Sequence, residues 1–364
     1  MKRYLPLLLF PVLSCMGLFT TSCHSVAARW EKLSGPEERN YPLGGFQRVE
    51  LSVPVDVKIR QSKSFSVRGT SKYKGVLDLI DLSVRDSTLY LTWKKETGLW
   101  QGSNFPDVDF YVSVPSLRGV ALRGSGDIDL KDAFTGTDFT AYLHGSGDIE
   151  MDNMNLTGGI EMELEGSGDI SFKYVRAAAA KIALRGSGEV SGKKLECTEQ
   201  LQATLQGSGS VEIHDNMARS LHYTLQGSGD FKLSDITAKE DALMEVVGSG
   251  DLIVKNCNGD RKVALRLSGS GDIRIANLMA ESLETELVMS GDIRVTQGEV
   301  GQLSVSQTGS GDIYLKGVQT QQARVWRKGS GDIDIHVTED LFIDENEGSG
   351  AIRYIGSPNV RVKK

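Results

Sequence analysis

Nine aspartates share one setting in this chain. Each is the fourth residue of a Gly-Ser-Gly-Asp tetrapeptide (Met-Ser-Gly-Asp in the case of Asp292), at Asp127, Asp148, Asp169, Asp230, Asp251, Asp272, Asp292, Asp312 and Asp332. Carboxylates recurring at a fixed pitch suggest two chemistries: a column of cation ligands, or a pair set for general acid and base work. Calcium takes six to eight oxygens, and a twenty-residue period brings only one carboxylate per turn to an edge. Calcium rolls of the nonapeptide type instead carry G-G-x-G-x-D at a nine-residue period. Glu189, Ser210 and Ala351 also interrupt the series. The favoured reading is an aspartate that accepts hydrogen bonds from turn N–H groups, with no metal ligand and no cofactor assigned. His144, His214, His222 and His336 stand singly, without H-E-x-x-H or a Ser/His/Asp pattern, so no catalytic residue is assigned.

Two further features bear on function. Lys2 and Arg3 precede an apolar stretch from Leu5 to Phe19, followed by Thr20-Thr21-Ser22-Cys23. A cysteine after small residues at that distance resembles a lipoprotein signal, so residues 1–22 are expected as leader and Cys23 as the lipidated residue. Cys15 after Val12-Leu13-Ser14 is the rival, and secretion with an unmodified cysteine the plain alternative. His24 is not the Asp that retains some lipoproteins at the inner membrane, which favours the outer membrane. Trp100 and Phe105 sit in a glycine-rich loop, where they would stack on a sugar or simply pack over an open end of the fold.

The elements that must position these residues follow from the repeat. The tetrapeptide begins at Gly124, Gly145, Gly166, Gly186, Gly207, Gly227, Gly248, Gly269, Met289, Gly309, Gly329 and Gly348, at steps of 19 to 21 residues. Ile128, Ile149 and Ile170 stand four places past their motifs, and Leu130, Met151 and Phe172 two further on, with Asp129, Glu150 and Ser171 between. Alternation at period two describes a strand with one buried face. Leu122, Leu143, Leu164 and their equivalents as far as Leu287 fall two places before the motif. Each repeat thus reads as two short strands meeting at Gly-Ser-Gly, then a polar return carrying one more apolar residue such as Val175 or Leu195.

A unit of this size cannot bury its own apolar row, whereas stacked coils turn each row into an internal ladder. The expectation is an all-β, right-handed parallel β-helix (solenoid) of about twelve repeats over residues 116–364, with a tether over 23–44. Residues 45–115 are strand-rich but irregular and read as degenerate rungs or a cap. Cys197 and Cys257 fall three rungs apart, roughly 14 Å, too far for a disulfide. With net charge −7 and no basic face, nucleic acid is an unsuitable partner.

The GSGD ladder, the leader, the lead-in FQRVELSVPVDVKIR and the ending Tyr354-Ile355-Gly356-Ser357-Pro358 resemble the bacterial "putative auto-transporter adhesin, head GIN domain" family. The resemblance spans about residues 43–362. It implies a right-handed β-helix in the Gram-negative envelope with an adhesion role, and it brings no catalytic residues. This chain departs by its long, regular array, and no run of barrel strands is expected before Lys364. The functional expectation is a non-catalytic envelope lipoprotein acting as a binding or adhesion scaffold, held to the membrane by its lipid and facing a surface glycan or protein. The alternative is a carbohydrate-active β-helix enzyme of the lyase or hydrolase type. Such a site needs clustered Asp, Arg or Lys within a cleft walled by longer loops, and these turns keep one length.

Overall fold

Each coil turns at Gly-Ser-Gly, and the two glycines do different work. The first adopts φ values of +141° at Gly124 and +134° at Gly227, in the region that favours a residue without Cβ. The second needs space: a Cβ on Gly229 would sit 2.2 Å from the Gly209 carbonyl oxygen one coil below. The first glycine is short of space as well, since a Cβ on Gly227 would sit 2.4 Å from the Gly207 carbonyl oxygen. The Ser228 and Gly229 N–H groups both donate to the Gly207 carbonyl, at 2.9 and 3.0 Å, which ties each corner to the previous one. Met289 stands in a first-glycine position with φ +92° and is the strained exception.

The computed structural model describes residues 35–94 and 105–363. It is a parallel β-solenoid of about twelve coils. Among the described residues there is no α-helix, only a 3-10 turn at Leu77–Leu79. Register is direct: Ile128 pairs with Ile149, Ile149 with Ile170, and Ile170 with Val190. These residues are fully buried, as are their equivalents up to Ile333. A completely buried aliphatic side chain contributes about 1.5–3 kcal/mol, so the ladders dominate stability.

The coil has three sides rather than two strands and a polar return. In one coil Ile149 and Met151, then Met154 and Leu156, then Ile160, Met162 and Leu164 face inward. Alternation breaks at Asp152-Asn153 and again at Thr157–Gly159. The return is itself strand because it carries two inward residues, Met154 and Leu156, enough for a ladder of its own.

At the first end the chain order is not the stacking order. Strands β1 (Glu37–Tyr41), β2 (Arg48–Leu51), β3 (Asp56–Gln61), β4 (Ser66–Ser71), β5 (Ile80–Arg85), β6 (Thr88–Trp93) and β7 (Val108–Val114) precede β8 (Gly119–Gly124) and β9 (Asp127–Gly136). Parallel pairing sets β2 between β6 and β8, and β3 between β7 and β9. Val57 and Ile59 align with Ile128 and Leu130, so the fragment Val55–Ile59 is a rung. Beyond it, β5 pairs antiparallel with β6, β4 with β7, and β1 with β4, covering strand edges that parallel stacking leaves open. Glu37–Tyr41 lies within the segment read as tether; its backbone bonds to β4 make it part of the fold from Glu37 onward.

At the other end the leucine column changes character. After Leu287 the same inward position holds Gln307 and then Arg327, both buried. Arg327 donates from Nε to Asn346 Oδ1 at 2.7 Å and from Nη1 to the Gly329 carbonyl at 2.8 Å. Gln307 donates to the Gly311 carbonyl. The final strands, Ile352–Ile355 and Asn359–Val362, leave Tyr354, Val360 and Val362 exposed. Cys197 and Cys257 are both buried free thiols.

Candidate ligand-binding surface

The aspartate column is a hydrogen-bonded ladder. The N–H of Asp148 donates to Asp127 Oδ1 at 2.9 Å, and that of Asp169 donates to Asp148 Oδ1 at 2.9 Å. The pattern resumes from Asp230 to Asp251 and continues until the Ala351 N–H reaches Asp332 Oδ1 at 2.8 Å. Where Ser210 interrupts, its N–H turns to the Gly188 carbonyl and its hydroxyl donates to Glu189 Oε2. Each aspartate therefore supplies an acceptor to the next coil. Among the described residues no group of three or more His, Cys, Asp or Glu is arranged to hold a metal ion.

Electrostatics differ along the ladder. Burial lifts the Asp127 carboxyl above its ordinary range; the Asp148 N–H opposes this and the Asp148 charge adds to it. At the far end the Ala351 N–H, with Arg353 beside it, holds Asp332 below that range. Arg353 bridges Asp332 at 2.8 Å and Asp334 at 2.7 Å. Midway, Arg274 bridges Asp251 at 2.7 Å.

His144 and His336 lie on separate coils, while His214 and His222 fall on two sides of one coil. His144 faces Glu165 at 3.2 Å, and His222 lies 3.3 Å from Glu245 and 3.1 Å from Thr224. Phe105 packs edge-to-face on Trp93 with ring centroids 5.0 Å apart and is partly buried against the core. Trp100 and Cys23 lie outside the described residues.

What the fold does build is a groove running along the rod, at the start of the strand that precedes each motif. Register stacks Thr140, Glu161, Lys181, Gln202 and His222 on one rim. The line continues through Ala264, Glu284, Ser304, Arg324 and Phe342. The other rim is formed by Gly159 and Ala179 in the earlier coils and by Lys262, Ser282, Gln302 and Gln322 in the later ones. Two separate hollows open along this line, of about 320 Å³ around Ile160 and about 410 Å³ around Leu303.

In the wider stretch the donors and acceptors are Ser282, Gln302, Gln322 and Ser304, over a floor of Leu283, Leu303 and Ala323. Phe342 closes the end, with the Arg324 and Arg361 guanidinium groups 5.8 and 5.2 Å from its ring centre. Glu284 is the only carboxylate lining it, and it is paired with Lys262. Amides and hydroxyls over an apolar floor, ending on an aromatic, can hydrogen-bond an extended polar chain. A hydrolytic pair needs a second carboxylate across the cleft, which this stretch does not line.

The sequence profile of the family described as "Putative auto-transporter adhesin, head GIN domain" matches residues 45–235, 161–255 and 235–358. The chain belongs to this family. The overlapping matches reflect a head GIN domain built from one repeating coil. Among solved structures, a "putative adhesin" from Parabacteroides distasonis ATCC 8503 is similar with a TM-score of 0.55 and 15% identity, over 67% of this chain and 98% of that one. A "putative adhesin" from Bacteroides fragilis NCTC 9343 aligns at 19% identity and a TM-score of 0.49, over 66% of this chain and 96% of that one. No curated protein matches the chain. The likeness to the P. distasonis structure is one of fold.

Neither the groove nor Phe342 is apparent in the head GIN repeat as sequence. Gln302 and Gln322 look like any outward polar residues, and the hollow arises only when successive coils stack. The buried Arg327 did leave a signal, since it stands where the leucine column predicts an apolar residue.

Proposed function

We propose that this protein is a non-catalytic cell-envelope scaffold that binds an extended surface glycan along the groove between Lys262 and Phe342. The observation that carries the reading is the stacking of Ser282, Gln302 and Gln322 on three successive rungs over an apolar floor ending at Phe342. Repeated, similar contacts suit a repeating ligand, and each rung adds a little affinity to the last. Family membership supports an adhesive role. Lipid attachment at Cys23 would fix the rod at the outer membrane, with the residues from 23 to about 36 as the tether. In the described residues no helix is long and apolar enough to cross a membrane.

A glycan array combined with a polysaccharide-degradation screen tests the proposal. Binding without release of new chain ends is expected. Depolymerisation of a bound polysaccharide would instead favour the carbohydrate-active enzyme.

A further inference from the structure

A second concavity lies on the outward face of the first coils, where β4, β7, β3 and β9 run side by side. It encloses about 480 Å³ and is lined by Lys58, Arg60, Arg68 and Lys131, against one lining carboxylate, Asp132. Four cations converge here on a chain whose net charge is −7. Arg60 and Lys131 are direct register partners on neighbouring parallel strands. Like charges placed opposite one another repel across a sheet, so this pair favours an anion held between them.

The acids that neutralise three of the cations do not line the concavity. Lys58 pairs with Asp109 at 2.7 Å, Arg68 with Glu38 at 3.2 Å, and Lys131 with Asp129 at 3.3 Å and Glu150 at 3.5 Å. Arg60 has no carboxylate at ion-pair distance among the described residues. Its Nε donates to Ser113 Oγ at 3.2 Å, which orients the guanidinium and leaves both Nη groups for a ligand. Tyr111 carries the Arg68 guanidinium 4.6 Å and the Lys58 ammonium 5.6 Å from its ring centre, fixing both at the wall.

We propose that this concavity binds a saccharide bearing a phosphate or a carboxylate. The Arg60 fork and the Lys131 ammonium hold the oxyanion, in the bidentate and point-charge manner of those two side chains. The volume exceeds a lone anion, and the hydroxyls of Ser66 and Ser113 line the remainder, where sugar hydroxyls find partners. The site is separate from the groove and stands or falls without it.

Calorimetric titration of the purified protein with glucose 6-phosphate, glucuronate, inorganic phosphate and glucose tests this. One or both charged sugars should bind, glucose should not, and added salt should weaken the affinity. Arg60→Gln and Lys131→Gln should each weaken it about tenfold, a typical loss for a charge-assisted hydrogen bond. Gln322→Ala, in the groove, should leave it unchanged. Which charged sugar binds distinguishes phosphate from carboxylate as the anion. Equal binding of glucose, binding of inorganic phosphate alone, no binding of either charged sugar, or unaltered affinity in folded Arg60→Gln and Lys131→Gln proteins would each overturn the proposal. So would binding confined to phosphatidylglycerol vesicles, which would assign the surface to a membrane.

Discussion

Asp292 Oδ1 accepts the backbone N–H of Asp312 at 2.9 Å, while the N–H of Asp292 itself donates to Asp272 Oδ1 at 2.8 Å. Each rung is thus donor and acceptor at once, and the column is a structural device. Asp292→Ala should lower stability by about 1–2 kcal/mol, since it strands the Asp312 N–H. Asp292→Asn, whose amide oxygen still accepts, should cost less. Denaturant titration measures both, and a chelator should leave the midpoint of the unaltered protein in place. A midpoint that falls on chelation would show that the column holds a cation after all.

The corner glycines predict a sharper effect. A Cβ on Gly229 meets the Gly209 carbonyl oxygen at 2.2 Å and Leu205 at 2.8 Å, so Gly229→Val should lose roughly 2–4 kcal/mol. Lys232 is exposed, and Lys232→Ala should stay within about 0.5 kcal/mol. Thermal melts of the two variants separate these outcomes, and equal melting temperatures would refute the close-approach argument.

Much of this fold was legible because its signal is periodic. Ile149 announces its burial by standing four places past a glycine corner, as Ile128 and Ile170 do. The third side of the coil was harder to see, because Met154 and Leu156 occupy a stretch whose neighbours vary freely. The inverted stacking of the first coils was not legible at all. Nothing near Thr88 or Val108 marks them as lying outside β2 and β3; that follows from pairings between distant strands. The same holds for the basic concavity. Arg60 and Lys131 are far apart in sequence, and only parallel registration sets them opposite one another.

Burial also governs the thiols. It pushes both Cys197 and Cys257 up to about 12, from an ordinary 9.0. Neither should react with a maleimide in the native protein, and both should react once it is unfolded. The sign of the pH dependence follows. Above 9.0 the unfolded chain releases thiol protons that the native state retains, so stability falls as pH rises toward 12. Chemical denaturation across that window should show the decline, and replacing both cysteines with alanine should lessen it, the buried Tyr223 phenol, also raised, adding its own fall above 10. A native protein that labels rapidly would contradict the burial.

In the proposed reading, attachment to the membrane rests on Cys23. Cys23→Ser should shift the protein from the detergent phase to the soluble envelope fraction, because acyl chains contribute about 0.8 kcal/mol per buried methylene. Phase partitioning of the two forms reads this directly. If the unaltered protein is already soluble, or only Cys15→Ser releases it, the anchor is misassigned.

The central claim is that the groove binds a glycan chain and leaves it intact. Its most direct test is to measure, on one polysaccharide chosen from an array, both affinity and the release of reducing ends or unsaturated products. Wild type should bind and release neither. The Gln302→Ala/Gln322→Ala double variant should remain folded and lose about tenfold or more in affinity, the loss expected for two surface hydrogen bonds. Product release by wild type, or full affinity in the double variant, would contradict the account.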